Sequence, residues 1–156
     1  MEAVQALADW PGAVWLRHSG TAYLFVNAAH ILGIGLVLGA ILPLDLRLMG
    51  FFRQVPLAVL GPFLTRAAAA GLALALLTGF WLFTVRPPHY LGNAAFLAKL
   101  ALLACALLNI GLQHGAGFYR LAVDGGAVAM PVRVMAAASA ILWLAALVAG
   151  RWIGFL

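Results

Sequence analysis

The sequence predicts an all-α integral membrane protein: a four-transmembrane-helix up-down bundle with an N-terminal interfacial helix. Composition is the first observation behind this. Of 156 residues, 66% are hydrophobic and 8% charged, and the mean hydropathy is +1.09. Soluble domains stay near roughly 45–50% apolar. The second observation is length: four apolar runs, about 22–42, 67–85, 94–113 and 134–153, each approach the ~20 residues that cross hydrocarbon. No polar domain separates them, so residues 1–156 read as a single membrane domain. The net charge of +5 fits basic loops that hold topology and gives no reason to expect nucleic acid. Cys105 is the one cysteine, so no intramolecular disulfide can form. The acidic opening Met1-Glu2 lacks the basic start of a cleavable signal.

Taken in order, residues 2–18 come first. Val4, Leu7 and Ala8 recur at helical spacing, and Trp10-Pro11-Gly12 interrupts the pattern. Too short to span and carrying two tryptophans, this stretch is expected to lie along the membrane surface. The first span runs to Pro43, and Gly35-x-x-x-Gly39 offers it a close-packing face. Asp45 and Arg47 are expected to pair locally after it. A linker with Arg53, Gly61-Pro62 and Arg66 leads to the second span, where Ala67, Gly71, Ala75 and Gly79 form a small-residue stripe. Such a stripe serves helix packing, or leaves room for a flat cofactor. Residues 86–93 turn the chain back into the third span, which holds Lys99 and ends near Gln113-His114. The last loop carries Arg120, Asp124 and Arg133, and the fourth span ends at Arg151-Trp152.

Loop charge sets the expected orientation. Arg47, Arg53, Arg66, Arg120 and Arg133 lie on one side, and Arg17, Arg86 and Arg151 on the other. The richer side is cytoplasmic by the positive-inside rule, which leaves both termini outside. Trp10, Trp15, Trp81, Tyr90 and Trp152 then share the outer interface as an aromatic belt.

Function is sought at His30, inside the first apolar run. An ionisable group in lipid is costly and usually faces the protein interior. Tyr23, Asn27, His30 and Val37 fall on one helical stripe. At 1.5 Å per residue His30 lies ~12 Å below the outer end of its span and Lys99 ~9 Å below. His18, His89 and Arg86 stand just above them, whereas His114 is ~20 Å away at the far face. Each residue also has a plainer reading. His30 could simply hydrogen-bond a backbone carbonyl or Asn27, Lys99 could snorkel, and His18, His89 and His114 could be surface residues.

Ala29-His30-Ile31-Leu32-Gly33 followed by Leu42-Pro43-Leu44-Asp45-Leu46-Arg47-Leu48 resembles the first span of the CopD/HemJ-type membrane proteins. So does Asn93-Ala94-Ala95-Phe96-Leu97-Ala98-Lys99-Leu100 running to Gln113-His114. That group includes the membrane domain of copper-resistance protein D and a small haem-containing protoporphyrinogen oxidase of bacteria. The closer resemblance is to uncharacterised bacterial four-span proteins with the Asp-Leu-Arg-Leu-x-Gly signature, here Asp45 to Gly50. It covers the first three spans, and the fourth by composition. The resemblance implies a bacterial inner-membrane location, a haem-linked histidine at His30 and a functional lysine at Lys99.

Three functions are therefore weighed. One is a b-type haem protein for electron transfer or porphyrin oxidation, with His30 as axial ligand, His89 as any sixth ligand, and Asn27 beside the imidazole. Lys99 and Arg86 would meet the propionates. Another is copper handling by His18, His30 and His89, a set suited to Cu(II) more than to thiophilic Cu(I). The third is a structural subunit of a larger membrane complex. Expected partners are the lipid bilayer, a redox partner or quinone, and a second copy or a membrane complex.

Overall fold

The computed structural model describes residues 2–115, 117–125 and 127–155. Among these there is no strand. Two short helices, α1 (Glu2–Asp9) and α2 (Pro11–His18), precede the first long one, α3 (Gly20–Met49). The others are α4 (Leu57–Val85), α5 (Pro87–Leu91), α6 (Ala94–Gly115), α7 (Phe118–Val123) and α8 (Met130–Trp152), followed by a 3₁₀ turn at Ile153–Phe155. Helices α3, α4, α6 and α8 are long and apolar enough to cross a membrane. Four such passes in alternating directions bring both chain ends to one end of the bundle, called here the terminal end.

The helix boundaries move outward from those expected. Pro43 does not end α3, which runs six residues further to Met49. Proline in a spanning helix is tolerated where neighbouring groups satisfy the freed carbonyl. The stop is Gly50 at φ 109°, whose N–H caps the carbonyls of Leu46 and Arg47; the left-handed conformation favours glycine. Residues 57–66, expected as linker, are the start of α4, with Pro62 inside the helix. Gly61 earns its place there: a Cβ would come within 3.2 Å of Val123 and 3.3 Å of the Tyr119 hydroxyl on α7.

The N-terminal stretch is two helices divided at Trp10, with Pro11 in the first turn of α2. Proline suits that position because its missing N–H has no helical partner to lose. Ala13 and Leu16 of α2 are buried, with Leu16 packed beside Ala22 and Leu82. Two indole bonds clamp the stretch onto α4: Trp10 Nε1 donates to Thr84 Oγ1 at 3.1 Å, and Trp81 Nε1 to the Gly12 carbonyl at 3.1 Å.

The spans form two hairpins, α3 with α4 and α6 with α8, joined where α8 packs on α3. Between helices in lipid there is little hydrophobic drive, so close approach of small residues carries the packing. Gly33 and Gly71 make that approach. A Cβ on Gly33 would lie 2.7 Å from the Ala75 nitrogen, and one on Gly71 2.9 Å from the Gly33 carbonyl. The expected Gly35/Gly39 face is not used, since neither glycine has a neighbour within 4 Å of its Cβ position. Gly33 is buried at the crossing while Gly35 and Gly39 lie on the exposed side of the same helix.

Away from the termini the bundle is filled. Ala40, Leu44 and Leu48 of α3 pack with Leu64, Val132 and Ala136, and Val37, Ile41, Ala106 and Trp143 form the layer above. Toward the terminal end the hairpins part. Helices α4 and α6 form no seam comparable with the other three, and a cavity opens between them.

Candidate functional site

The cavity measures about 730 Å³ and draws walls from all four spans, within the range of about 300–1,000 Å³ common for small-molecule sites. Its lining is mostly apolar. Asn27 and His30 face it from α3, Gly79 and Phe83 from α4, Lys99 from α6, and Arg151 from α8. Phe83 and Phe96 stack across its terminal end, with ring centroids 5.6 Å apart and planes 3° from parallel. Trp143 stands at the opposite end of the cavity, within the packed layer.

His30 is held by α4. Its Nδ1 lies 2.9 Å from the Ala75 carbonyl oxygen and 3.2 Å from Thr78 Oγ1. A carbonyl can only accept, so Nδ1 carries the proton. Thr78 agrees with this, because its hydroxyl donates to the Leu74 carbonyl at 2.6 Å and leaves oxygen lone pairs for the imidazole. The tautomer is therefore fixed with the free lone pair on Nε2. Gly79 makes room for the ring: a Cβ there would sit 2.8 Å from His30 Cε1. The small-residue stripe thus has two uses, helix crossing at Gly71 and imidazole seating at Gly79.

Lys99 lies opposite with its stem along α8. A Cβ on Gly150 would be 3.4 Å from Lys99 Cδ and 3.7 Å from Nζ. Arg151 is the next residue, its guanidinium 4.7 Å from the Phe155 ring centroid. Among the described residues no carboxylate lines the cavity. Two cations and an imidazole in an apolar chamber, with no acidic partner among the described residues, suit an amphiphile bearing anionic groups.

Of the residues singled out from sequence, Asn27, His30 and Lys99 meet on this cavity. His89 and Arg86 do not. They line a second, smaller cavity of about 390 Å³ with Arg17, Tyr23 and Tyr90. Burial pushes the Tyr90 phenol up from its ordinary value, with Tyr23 beside it. His18 is exposed on α2, its Nδ1 2.8 Å from the Val14 carbonyl oxygen. Shared depth along the membrane normal did not bring these groups together, because α5 turns His89 and Arg86 toward α2 and the start of α3. Among the described residues no group of three or more His, Cys, Asp or Glu could hold a metal ion. The set His18, His30 and His89 is thus not assembled.

Sequence reasoning missed Thr78 and Arg151, and it had Gly79 in the small-residue stripe without its role as the seat of His30. Thr78 lies three residues after Ala75 and one before Gly79, so the small-residue stripe pointed to that face of α4. Nothing marked Arg151 beyond its place at a span end. Asp45 also departs from expectation: it is buried, while Arg47 donates to the carbonyls of Val55 and Arg53. Residues two apart on a helix face different ways, which forbids the local pair.

No protein-family model, curated protein or solved structure matches the chain.

Proposed function

We propose that the protein is a multi-pass haem-binding redox protein of a bacterial inner membrane, with its cofactor in the four-helix cavity and His30 as axial ligand. The observation that carries this reading is the state of the His30 ring. Nδ1–H is committed to Ala75 and Thr78, so Nε2 is the basic nitrogen, and the residue lines the cavity. Metal-ligating histidines are oriented by such a bond from the other ring nitrogen. The residues fit a b-type haem: one imidazole, an apolar chamber of suitable size, and Lys99 and Arg151 for two carboxylates. Arg151 takes the place expected of Arg86, and His89 lines the other cavity.

Haem supplies one-electron chemistry when bound. The chain's own residues do the rest. Ala75 and Thr78 fix the imidazole, Phe83 and Phe96 close the chamber toward water, and Lys99 and Arg151 orient anionic groups toward the terminal end. The gap between α4 and α6 admits an apolar partner, such as a quinone, from the bilayer. Both termini are assigned to the periplasmic side by the basic loops.

Copper handling is the weaker reading, because the three histidines stand apart and no metal-holding group of three exists among the described residues. A structural subunit of a larger complex is what remains if no pigment is bound. Visible spectra of the detergent-purified protein, oxidised and reduced, test the proposal: a Soret band is expected, and its absence after expression with added haem precursor rejects it.

A further inference from the structure

The packed half of the bundle holds a polar seam in an otherwise apolar interior. Asp45 on α3 and Ser139 on α8 are each 3% exposed, and Gln113 on α6 is 5% exposed. The Ser139 hydroxyl stands at the Asp45 carboxyl group. Asp45 Oδ2 is buried with no hydrogen-bond partner among the described residues, and so is the Nε1 of Trp143. Trp143 follows Ser139 by four residues, hence on the same face of α8, and it also borders the cavity. A buried carboxyl oxygen without a hydrogen-bond partner among the described residues calls for a proton or a small polar occupant.

Among the described residues the seam has no counter-charge. Arg47 bonds to loop carbonyls, as described above. On the elements packed around it, Arg66 of α4, Arg120 of α7 and His114 of α6 are exposed. Tyr119 shares its hydroxyl with Thr65 at 3.1 Å, and Arg133 Nε donates to the Val128 carbonyl at 3.3 Å. Among the described residues no basic side chain is set against Asp45, and Ser139 is its hydrogen-bonding side chain. A carboxylate without water or cation in such a place is costly, while a neutral carboxyl needs far less. The indole N–H is a donor only, which disfavours a metal cation and suits a water or a proton carrier.

We propose that Asp45 is an intramembrane protonation site: its carboxyl group holds one proton in the folded protein and exchanges it with water, with Ser139 as hydrogen-bonding partner. On uptake a hydronium ion gives its proton to a carboxylate oxygen and returns to water; release is the reverse. No cofactor takes part, so the site stands or falls apart from the haem reading.

Infrared spectroscopy of the full chain in lipid bilayers tests this directly. The sequence has four acidic side chains, and the other two aspartates, Asp9 and Asp124, are exposed. With carbon-13 carboxyl-labelled aspartate, a neutral-acid carbonyl band at neutral pH must therefore come from Asp45. The expected result is one isotope-shifted band in the wild type, moved again on transfer to heavy water. Asp45→Asn should remove it. Ser139→Ala should keep its amplitude but shift its frequency, a readout available even if Asp45→Asn fails to fold. No labelled neutral-acid band in the wild type overturns the proposal; so does a band that survives Asp45→Asn. A band that never responds to heavy water overturns the exchange.

Discussion

The imidazole of His30 is seated on Gly79: a single Cβ at that glycine would reach within 2.8 Å of Cε1. The ring cannot retreat freely, because Nδ1 is tied to Ala75 at 2.9 Å. A methyl group at Gly79 therefore forces either the bond or the helix spacing to give. Gly79→Ala should destabilise the bundle by about 1–3 kcal/mol, the usual cost of overpacking, and should weaken pigment retention. Gly35→Ala, with nothing within 4 Å, should be neutral or slightly stabilising. Thermal unfolding in detergent compares the two, and equal effects would remove the seating role of Gly79.

Lys99→Met keeps most of the side-chain volume and removes its charge. The variant should fold, since the stem still packs along Gly150, but should hold the anionic cofactor less tightly. Arg151→Met should act in the same direction, and Arg86→Met should not, because Arg86 lines the other cavity. Pigment content per mole of purified protein is the measurement. Loss in Arg86→Met with retention in Arg151→Met would reverse the assignment.

How far the sequence went is visible in these residues. Asn27, His30 and Lys99 were legible as partners because apolar runs fix depth, and ionisable groups at one depth in a bundle have few places to go. Depth says nothing about rotation around the bundle, so His89 and Arg86 were grouped with them wrongly. The turn that separates them, α5, has only five residues and leaves no apolar periodicity to read. The N-terminal stretch was legible from Trp10-Pro11, but its attachment through Thr84 and Gly12 was not. Gly33 and Gly71 show the same limit, since a motif such as Gly35-x-x-x-Gly39 cannot say which face of a helix meets its neighbour.

The N-terminal helices should loosen when their indole bonds are removed. Trp10→Phe and Trp81→Phe each delete one N–H donor to α4 or α2 while keeping an aromatic ring. A loss of about 1 kcal/mol per bond is expected. Amide hydrogen exchange should speed up over residues 4–18 and stay unchanged in α8. Uniform acceleration would mean that the bonds support the whole bundle instead.

Topology is tested with single cysteines in a Cys105→Ala background. Gly92→Cys sits in the turn at the terminal end, and Asp124→Cys is exposed in the loop before α8. A membrane-impermeant thiol reagent applied to intact spheroplasts should label Gly92→Cys and spare Asp124→Cys. The opposite pattern would invert the orientation and move the cavity to the cytoplasmic half.

The central claim is that His30 Nε2 is the metal ligand in the cavity, and reduced-minus-oxidised spectra of purified His30→Ala, His89→Ala and wild type test it most directly. The account predicts a Soret signal in the wild type and in His89→Ala, and loss of that signal in His30→Ala with the protein still folded. Haem retained by folded His30→Ala with an unchanged spectrum would contradict it.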